Sequence, residues 1–399
     1  MKILQPLPTP MMATLLATLG LASAMGIGRF AFTPLLPLMQ QSFGLTLRQG
    51  ALLATSNYAG YFVGALVSFI FNPAANKAAR FSLLWIAVLT LATGLTQIFA
   101  AWMVLRFLTG VASAYALIGI SSWALNVLAP RRRPGLYGWV FAGVGFGMIL
   151  AGLTGLVAGV VHASPDHAWL ALGVCAAVVF IFSWRPLGWN PAMPKRVAAS
   201  VPQRINAQGW IMVFCYGVYG FGYIIPATFL PAFARALISD PAVFGWVWPV
   251  FGVAAALSTV ITAYLFGRVL PRTVWAYSNL VMAVGVLAPA LFLSPVTILI
   301  STLCVGGTFM VMTMTGMQTA RLTTGGDASR LIAAMTASFA MGQLLGPLAI
   351  PGGTLRQSIV LPGISAACLL FASAIILFSL PTAGYIKKGI SDDYRPNPH

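Results

Sequence analysis

The sequence predicts an all-α polytopic membrane protein with twelve transmembrane helices in two six-helix halves. Hydrophobic residues make up 59% of the 399 residues and charged residues only 7%, whereas a soluble domain carries about 25% charged residues. The chain also contains twelve apolar runs, and about 20 apolar residues are enough for a helix to cross a bilayer. A surface facing water cannot be built from so few charges, so most of the chain must face lipid.

Glycine, proline and basic residues bound the twelve apolar runs. The first runs continuously past Ala22-Ser23-Ala24, so we interpret it as an uncleaved helix and not as a signal peptide. The predicted spans are 11–40, 49–72, 81–99, 101–128, 136–161, 168–185, 208–234, 243–267, 274–293, 296–319, 331–354 and 358–380.

The basic residues divide unequally between alternate loops. With the N-terminus inside, 17 Lys and Arg residues lie in inward segments and 3 in outward loops, namely Arg48, Arg235 and Arg356. Positive charge sorts to cytoplasmic loops in membrane proteins, so the net charge of +17 does not indicate a nucleic-acid partner. We expect a protein of the bacterial inner membrane with both termini in the cytoplasm.

The longest polar stretch before the tail divides the chain. We predict an N-terminal half at 1–185, a cytoplasmic linker at 186–207, a C-terminal half at 208–381 and a cytoplasmic tail at 382–399. Parallel repeats of this kind are typical of transporters that hold their solute between the halves. Glycines and a proline recur 194 residues apart (Gly26, Gly28 and Pro37 against Gly220, Gly222 and Pro231), and glycine pairs recur 199 residues apart (Gly143 and Gly147 against Gly342 and Gly346). The glycine pairs on the fifth and eleventh spans indicate close helix packing.

Two arginines, Arg29 and Arg106, fall inside predicted spans. An arginine at a helix centre costs about 2.5–3.5 kcal/mol on insertion scales. Each could extend to the membrane surface or bond to backbone carbonyls, or it could line a solute cavity. Thr33 lies one turn from Arg29, and Ser113 lies two turns from Arg106, each on the same helix face.

Other polar and aromatic side chains are candidates for the same cavity. Helix packing remains the alternative for each aromatic, but unsatisfied polar groups are costly in lipid. The candidates are Asn57 and Tyr61 on the second span, Tyr219 and Tyr223 on the seventh, Trp246 on the eighth and Gln343 on the eleventh.

Acidic and metal-ligating residues are scarce. All five acids are aspartates, none is central in a span, and the three histidines lie in loops or the tail. The four cysteines sit in separate spans, so the sequence predicts no disulfide or metal site. It contains no phosphate-binding loop or catalytic constellation, and we expect neither a cofactor nor an enzymatic activity. Two cations without a carboxylate partner in the spans suggest an anionic solute.

Several motifs resemble those of the major facilitator superfamily (MFS). Arg106-Phe107-Leu108-Thr109-Gly110 is similar to its Arg-x-x-x-Gly signature. Gly26-Ile27-Gly28-Arg29-Phe30, Gly306-Gly307-Thr308-Phe309 and Gly342-Gln343-x-x-Gly346-Pro347 resemble the YbfB/YjiJ-like branch. The resemblance spans the chain and implies the MFS fold. The loop at 72–77 departs from the family pattern because it lacks the usual acidic residue, and the fifth span lacks the antiporter proline.

These features predict a secondary transporter that works by alternating access on a small organic anion or weak acid. The alternative is a proton-coupled exporter of lipophilic drugs or metabolites, which the Met-rich tenth span favours. We expect a monomer whose partners are the solute and the lipid bilayer.

Overall fold

The computed structural model describes residues 9–71, 73–128, 135–188, 205–237, 245–324, 328–348 and 357–381. Over these ranges it confirms the predicted all-α architecture of twelve long helices. Eleven are long and apolar enough to cross a membrane; the exception, α11, carries Arg330 and Gln343. The predicted tail at 382–399 and most of the predicted linker lie outside the described residues.

The helices follow the predicted order, with ends displaced by up to about six residues. They are α1 (Pro10–Phe43), α2 (Leu47–Phe71), α3 (Ala75–Gly94), α4 (Phe99–Leu128), α5 (Gly135–Val160), α6 (Pro165–Trp184), α7 (Ala207–Leu237), α8 (Val247–Leu265), α9 (Pro271–Leu291), α10 (Pro295–Thr324), α11 (Ser329–Leu348) and α12 (Gln357–Ser379). A short 3₁₀ turn at Pro186–Gly188 follows α6.

Local sequence explains several helix ends. The Thr9 hydroxyl accepts a hydrogen bond from the Met12 backbone N–H at 3.2 Å, and Pro10 occupies the first turn of α1, where proline is pre-organised for a helix. Prolines also open α6, α9 and α10. At the other end of α1, Gly44 adopts φ +67°, the left-handed conformation with which many helices terminate.

The same packing pattern occurs twice, offset by six helices. In the first set α1 packs on α5, α2 on α4, α3 on α4 and α3 on α6. In the second set α7 packs on α11, α8 on α10, α9 on α10 and α9 on α12. The pairs α5–α8 and α2–α11 join the two sets. An offset of six helices converts the pair α5–α8 into the pair α11–α2. The contacts between the two sets therefore repeat in the same way as the contacts within them.

One end of the bundle, where α2 ends and α11 begins, carries several contacts between the sets. Arg321 on α10 donates a hydrogen bond to the Leu125 carbonyl on α4. The Arg330 guanidinium on α11 lies 5.1 Å from the centre of the Phe69 ring on α2. The two sets are therefore in direct contact at this end.

Helix α1 changes its hydrogen-bond register in the middle. It is α-helical over Pro10–Leu21 and Phe32–Phe43 but π-helical over Ala22–Phe30. A π-helix is wider than an α-helix and occurs mostly as single turns within α-helices, frequently at functional sites. Here α5 packs so closely that a Cβ on Gly26 would lie 2.3 Å from the Gly147 Cα, which confirms close packing at that α5 glycine.

Candidate functional site

Arg29 lies at the end of the π-helical segment and is buried, with 2% of its surface exposed. Its Nη2 donates a hydrogen bond to the Gln343 Oε1 on α11. The guanidinium carbon lies 3.9 Å from the centre of the Tyr61 ring, so one face of the cation rests on an aromatic ring. Phe30, Tyr58 and Phe339 surround the cation at 5.3, 5.7 and 5.8 Å. The environment of Arg29 is therefore aromatic and amide, without a carboxylate among the described residues.

Several hydrogen-bond donors around Arg29 have no acceptor among the described residues. They are the Nε and Nη1 atoms of Arg29 itself, the Nε2 of Gln343, and the hydroxyls of Tyr61 and Tyr223. Leaving a buried donor unpaired costs about 1–3 kcal/mol, and more for a charged group. The site consequently has an excess of donors over acceptors, which suits a ligand that brings acceptor oxygens.

Arg106 has a different set of partners. Its two Nη atoms donate to the Gly28 and Arg29 carbonyls at 3.3 Å each, and its guanidinium lies 4.7 Å from the centre of the Phe32 ring. Ser113, two turns along α4, donates to the Ala24 carbonyl at 2.9 Å. Both side chains bind the backbone of the π-helical segment and do not line the central void. Arg106 and Ser113 thus hold the segment that carries Arg29.

Asn57 extends this support to α2. Its Nδ2 donates to the Arg106 carbonyl at 2.9 Å. The helices are so close here that a Cβ on Gly110 would lie 2.1 Å from the Asn57 carbonyl oxygen. Asn57 therefore fixes α2 against α4, and α2 in turn presents Tyr61 to Arg29.

An aromatic cluster fills the space on the other side of Arg29. The Tyr223 ring stacks on Phe309 at 5.0 Å and on Phe339 at 6.1 Å between centroids. The Phe30 ring lies 6.5 Å from Tyr223, 6.3 Å from Trp248 and 5.9 Å from Phe309. Phe30 on α1 therefore reaches across to α7, α8 and α10.

Among the described residues, the space beside Arg29 is almost completely filled. A void there measures about 10 Å³, close to the lower limit for one water molecule. Arg29, Tyr61 and Tyr219 are among the residues that line it. The Tyr219 hydroxyl donates to the Phe309 carbonyl at 2.6 Å and lies 3.1 Å from the Thr313 hydroxyl.

The predicted site residues thus separate into a central group, a supporting group and two residues that belong to neither. Arg29, Tyr61, Tyr219, Tyr223 and Gln343 come together in the centre, and Arg106, Ser113 and Asn57 support the backbone beside it. Thr33 is half-buried beyond the π-helical segment. Trp246 lies outside the cluster, with 50% of its surface exposed, because α8 begins at Val247 and not at the predicted 243. Trp248 takes the inward position.

Sequence reasoning missed three central aromatics, Phe30, Phe309 and Phe339. Each is close in sequence to a residue or motif that the sequence analysis had identified. Phe30 is adjacent to Arg29, Phe309 belongs to the glycine motif of α10, and Phe339 precedes Gln343 by four residues, so both side chains share one face of α11. Aromatic residues were too numerous for these three to be selected without the packing.

Comparison with protein families identifies the family of the chain. The family model described as an uncharacterised MFS-type transporter, YbfB, matches residues 21–378. The match includes every residue of what we call the central cluster, namely Arg29, Phe30, Tyr61, Tyr219, Tyr223, Phe309, Phe339 and Gln343. No curated protein matches the chain.

Proposed function

The chain belongs to the YbfB-like family of MFS-type transporters, and from this premise we propose that it carries a small organic anion or weak acid bound to Arg29. The family supports secondary transport in general. We further propose that the protein is monomeric, that it lies in the bacterial inner membrane with both termini cytoplasmic, and that 1–185 and 208–381 are its moving halves. The positive-inside distribution of the loops supports this orientation.

The observation that carries the anion proposal is the unpaired cation at the centre. Arg29 is buried, and two of its three guanidinium nitrogens have no acceptor among the described residues. Removing a charge from water costs several kcal/mol unless a partner compensates for it. The one described acid, Asp166, lies in the first turn of α6, where the Gln97 Nε2 donates to it at 3.0 Å. A carboxylate solute would satisfy Arg29 through charge-assisted hydrogen bonds.

Alternating access is the mechanism that this arrangement supports. A void of about 10 Å³ cannot admit an organic solute, so the centre must open before the solute binds. Arg29 on α1 and Gln343 on α11 belong to different sets of helices, as do the pairs Arg321–Leu125 and Arg330–Phe69. Rocking of one half against the other would open these contacts and expose Arg29 to one side of the membrane.

A second candidate function is export of lipophilic drugs or metabolites, with proton coupling. It is favoured by the methionines of α10, because flexible thioether side chains adapt to varied apolar ligands. Met310 lines the central void, and Met312, Met314 and Met317 are buried nearby on the same helix. This function would not require the positive charge of Arg29.

Uptake into proteoliposomes separates the two functions. Purified protein is reconstituted, and uptake of radiolabelled carboxylates and of neutral lipophilic compounds is measured with and without pH and voltage gradients. We expect carboxylate uptake, with an apparent affinity at least about 30-fold lower in Arg29→Gln, since removing one partner of a buried charge pair costs about 2–5 kcal/mol. Arg48→Gln, which alters an exposed arginine on α2, is the matched control and should transport normally.

Two results would overturn the anion proposal. One is carboxylate uptake that is equal in Arg29→Gln and Arg48→Gln. The other is uptake of neutral compounds only, driven by a proton gradient, which would favour the exporter.

A further inference from the structure

We propose that the solute is a monocarboxylate with a single planar aromatic ring, whose carboxylate binds Arg29 and whose ring takes the place now filled by the Phe30 side chain. This inference rests on the proposed function, because it names the chemical class of the anion. Three features support it: the number of cationic side chains that line the void, the aromatic rings that surround Phe30, and the size of the place that Phe30 occupies.

The number of free charges indicates a single negative charge. Arg29 is the one arginine or lysine among the described residues that line the void. The second buried arginine, Arg106, does not line the void; its two Nη atoms donate to the Gly28 and Arg29 carbonyls, and only its Nε has no partner among the described residues. A second carboxylate on the solute would therefore be buried without a cation, which is strongly unfavourable.

The walls of the space indicate an aromatic body. The Phe30 ring meets the Phe309 ring at 89° and the Tyr223 ring at 72°, which are edge-to-face arrangements. A phenyl ring of a solute in the same place would make the same edge-to-face contacts. Such ring pairs stabilise beyond area burial alone, so an aromatic carboxylate should bind about 2- to 10-fold more tightly per pair than a saturated one.

The size of the space indicates one ring. Because the void itself measures about 10 Å³, a solute can enter only if a side chain moves away. Phe30 is next to Arg29 in the chain, and it contacts α7, α8 and α10 from the other set of helices. The place that Phe30 occupies between Tyr223, Trp248 and Phe309 is that of one phenyl ring, so a solute that replaces Phe30 there can carry one ring.

Thermal stabilisation of the purified protein tests the solute class with four matched probes. Benzoate is the reference, cyclohexanecarboxylate removes aromaticity, benzamide removes the charge and phthalate adds a second carboxylate. We expect benzoate to raise the unfolding temperature most, cyclohexanecarboxylate less, and benzamide and phthalate not at all. The benzoate shift should vanish in Arg29→Gln and be reduced in Arg29→Lys, because lysine keeps the charge but lacks the planar fork that pairs with a carboxylate, and it should persist in Arg48→Gln.

The outcomes separate the solute class from the proposed function. If cyclohexanecarboxylate equals or exceeds benzoate, or if phthalate binds as well, the aromatic monocarboxylate is wrong while anion transport through Arg29 stands. If benzamide stabilises as well as benzoate, or if no carboxylate stabilises the protein, both are wrong. A benzoate shift that survives in Arg29→Gln also overturns both.

A second variant tests the role of Phe30 separately. Phe30→Ala should enlarge the space and let 2-naphthoate, with two fused rings, stabilise the protein, whereas 2-naphthoate should not stabilise the unaltered protein. Phe292→Ala is the control, since Phe292 is 74% exposed just beyond the end of α9. Stabilisation by 2-naphthoate that is equal in the unaltered protein and in Phe30→Ala would contradict the placement of the ring.

Discussion

At the scale of single residues, the two buried arginines differ in what satisfies them. Arg106 donates to two backbone carbonyls of α1, whereas Arg29 meets one amide oxygen and four aromatic rings. From the sequence, both arginines lie in predicted spans and both are candidate solute ligands. The sequence could not distinguish them, because the carbonyls that accept from Arg106 belong to another helix, and the contact between the two helices is not visible in the sequence of either.

Substitution by glutamine should therefore destabilise the protein without solute at Arg106 but not at Arg29. Arg106→Gln should lower the unfolding temperature, because each hydrogen bond from a charged donor contributes about 1.5–3 kcal/mol and two carbonyls are left unpaired. Arg29→Gln should leave the unfolding temperature unchanged or raise it, because it removes a poorly compensated buried charge. Tryptophan fluorescence during heating, without added solute, measures both. A larger loss in Arg29→Gln would contradict these assignments.

Tyr61 should act through its ring and not through its hydroxyl. Its ring centre lies 3.9 Å from the Arg29 guanidinium carbon, and its hydroxyl has no hydrogen-bond partner among the described residues. We expect Tyr61→Leu to destabilise the protein by about 1–2 kcal/mol, the cation–π contribution of a desolvated pair. Tyr61→Phe should be neutral within about 0.5 kcal/mol. Unfolding temperatures of the two variants provide the test, and equal losses would exclude the cation–π role.

At the scale of helices, hydropathy was sufficient for the number and order of the elements. The largest displacement was at α3, predicted at 81–99 and observed at Ala75–Gly94. Its first turns carry Lys77 and Arg80, whose polarity concealed the helix start. Hydropathy also could not reveal the π-helical segment at Ala22–Phe30, because the hydropathy of a segment is the same whether its backbone hydrogen bonds are α-helical or π-helical. The contacts of the π-helical segment lie on other helices: Arg106 and Ser113 donate to its backbone, and its Gly26 packs against Gly147 of α5.

Two glycines of α5 provide a matched test of the contact between α5 and α1. A Cβ at Gly147 would lie 2.2 Å from the Ala22 carbonyl oxygen, whereas at Gly159 the nearest atom is the Leu38 Cδ2 at 3.6 Å. We expect Gly147→Ala to push α1 away from α5 and to lower the unfolding temperature, and Gly159→Ala to be neutral or slightly stabilising, since alanine favours helix over glycine by about 1 kcal/mol. Equal behaviour of the two variants would contradict the close approach at Gly147.

At the scale of the whole molecule, the central cluster exists only because two sets of helices meet. Arg29 comes from α1, Tyr61 from α2, Tyr223 from α7, Phe309 from α10 and Gln343 from α11. The repeated glycines indicated a duplicated chain, and the packing pattern repeats accordingly. Which side chains then face one another across the joint depends on helix rotation, and no pattern within a single helix encodes that.

The end of the bundle near Phe69 and Arg330 should open during transport. In a background without native cysteines, Phe69→Cys with Arg330→Cys should be linked by a short bifunctional reagent, and the link should stop uptake. Tyr277→Cys with Phe378→Cys is the control, because these rings lie 5.1 Å apart between α9 and α12 of the same set. Linking that pair should leave uptake intact. Undiminished uptake after linking Phe69→Cys to Arg330→Cys would contradict rocking about this contact.

The most direct test of the central claim is the position of a bound anion in an experimental structure. Crystals grown with 4-bromobenzoate would locate the bromine by its anomalous scattering and the carboxylate by its density. We expect the carboxylate within hydrogen-bond distance of Arg29 Nε or Nη1, and the bromine between Tyr223, Trp248 and Phe309. A carboxylate bound at Arg106 or at a surface arginine, with Arg29 still in contact only with Gln343 and Tyr61, would contradict the account.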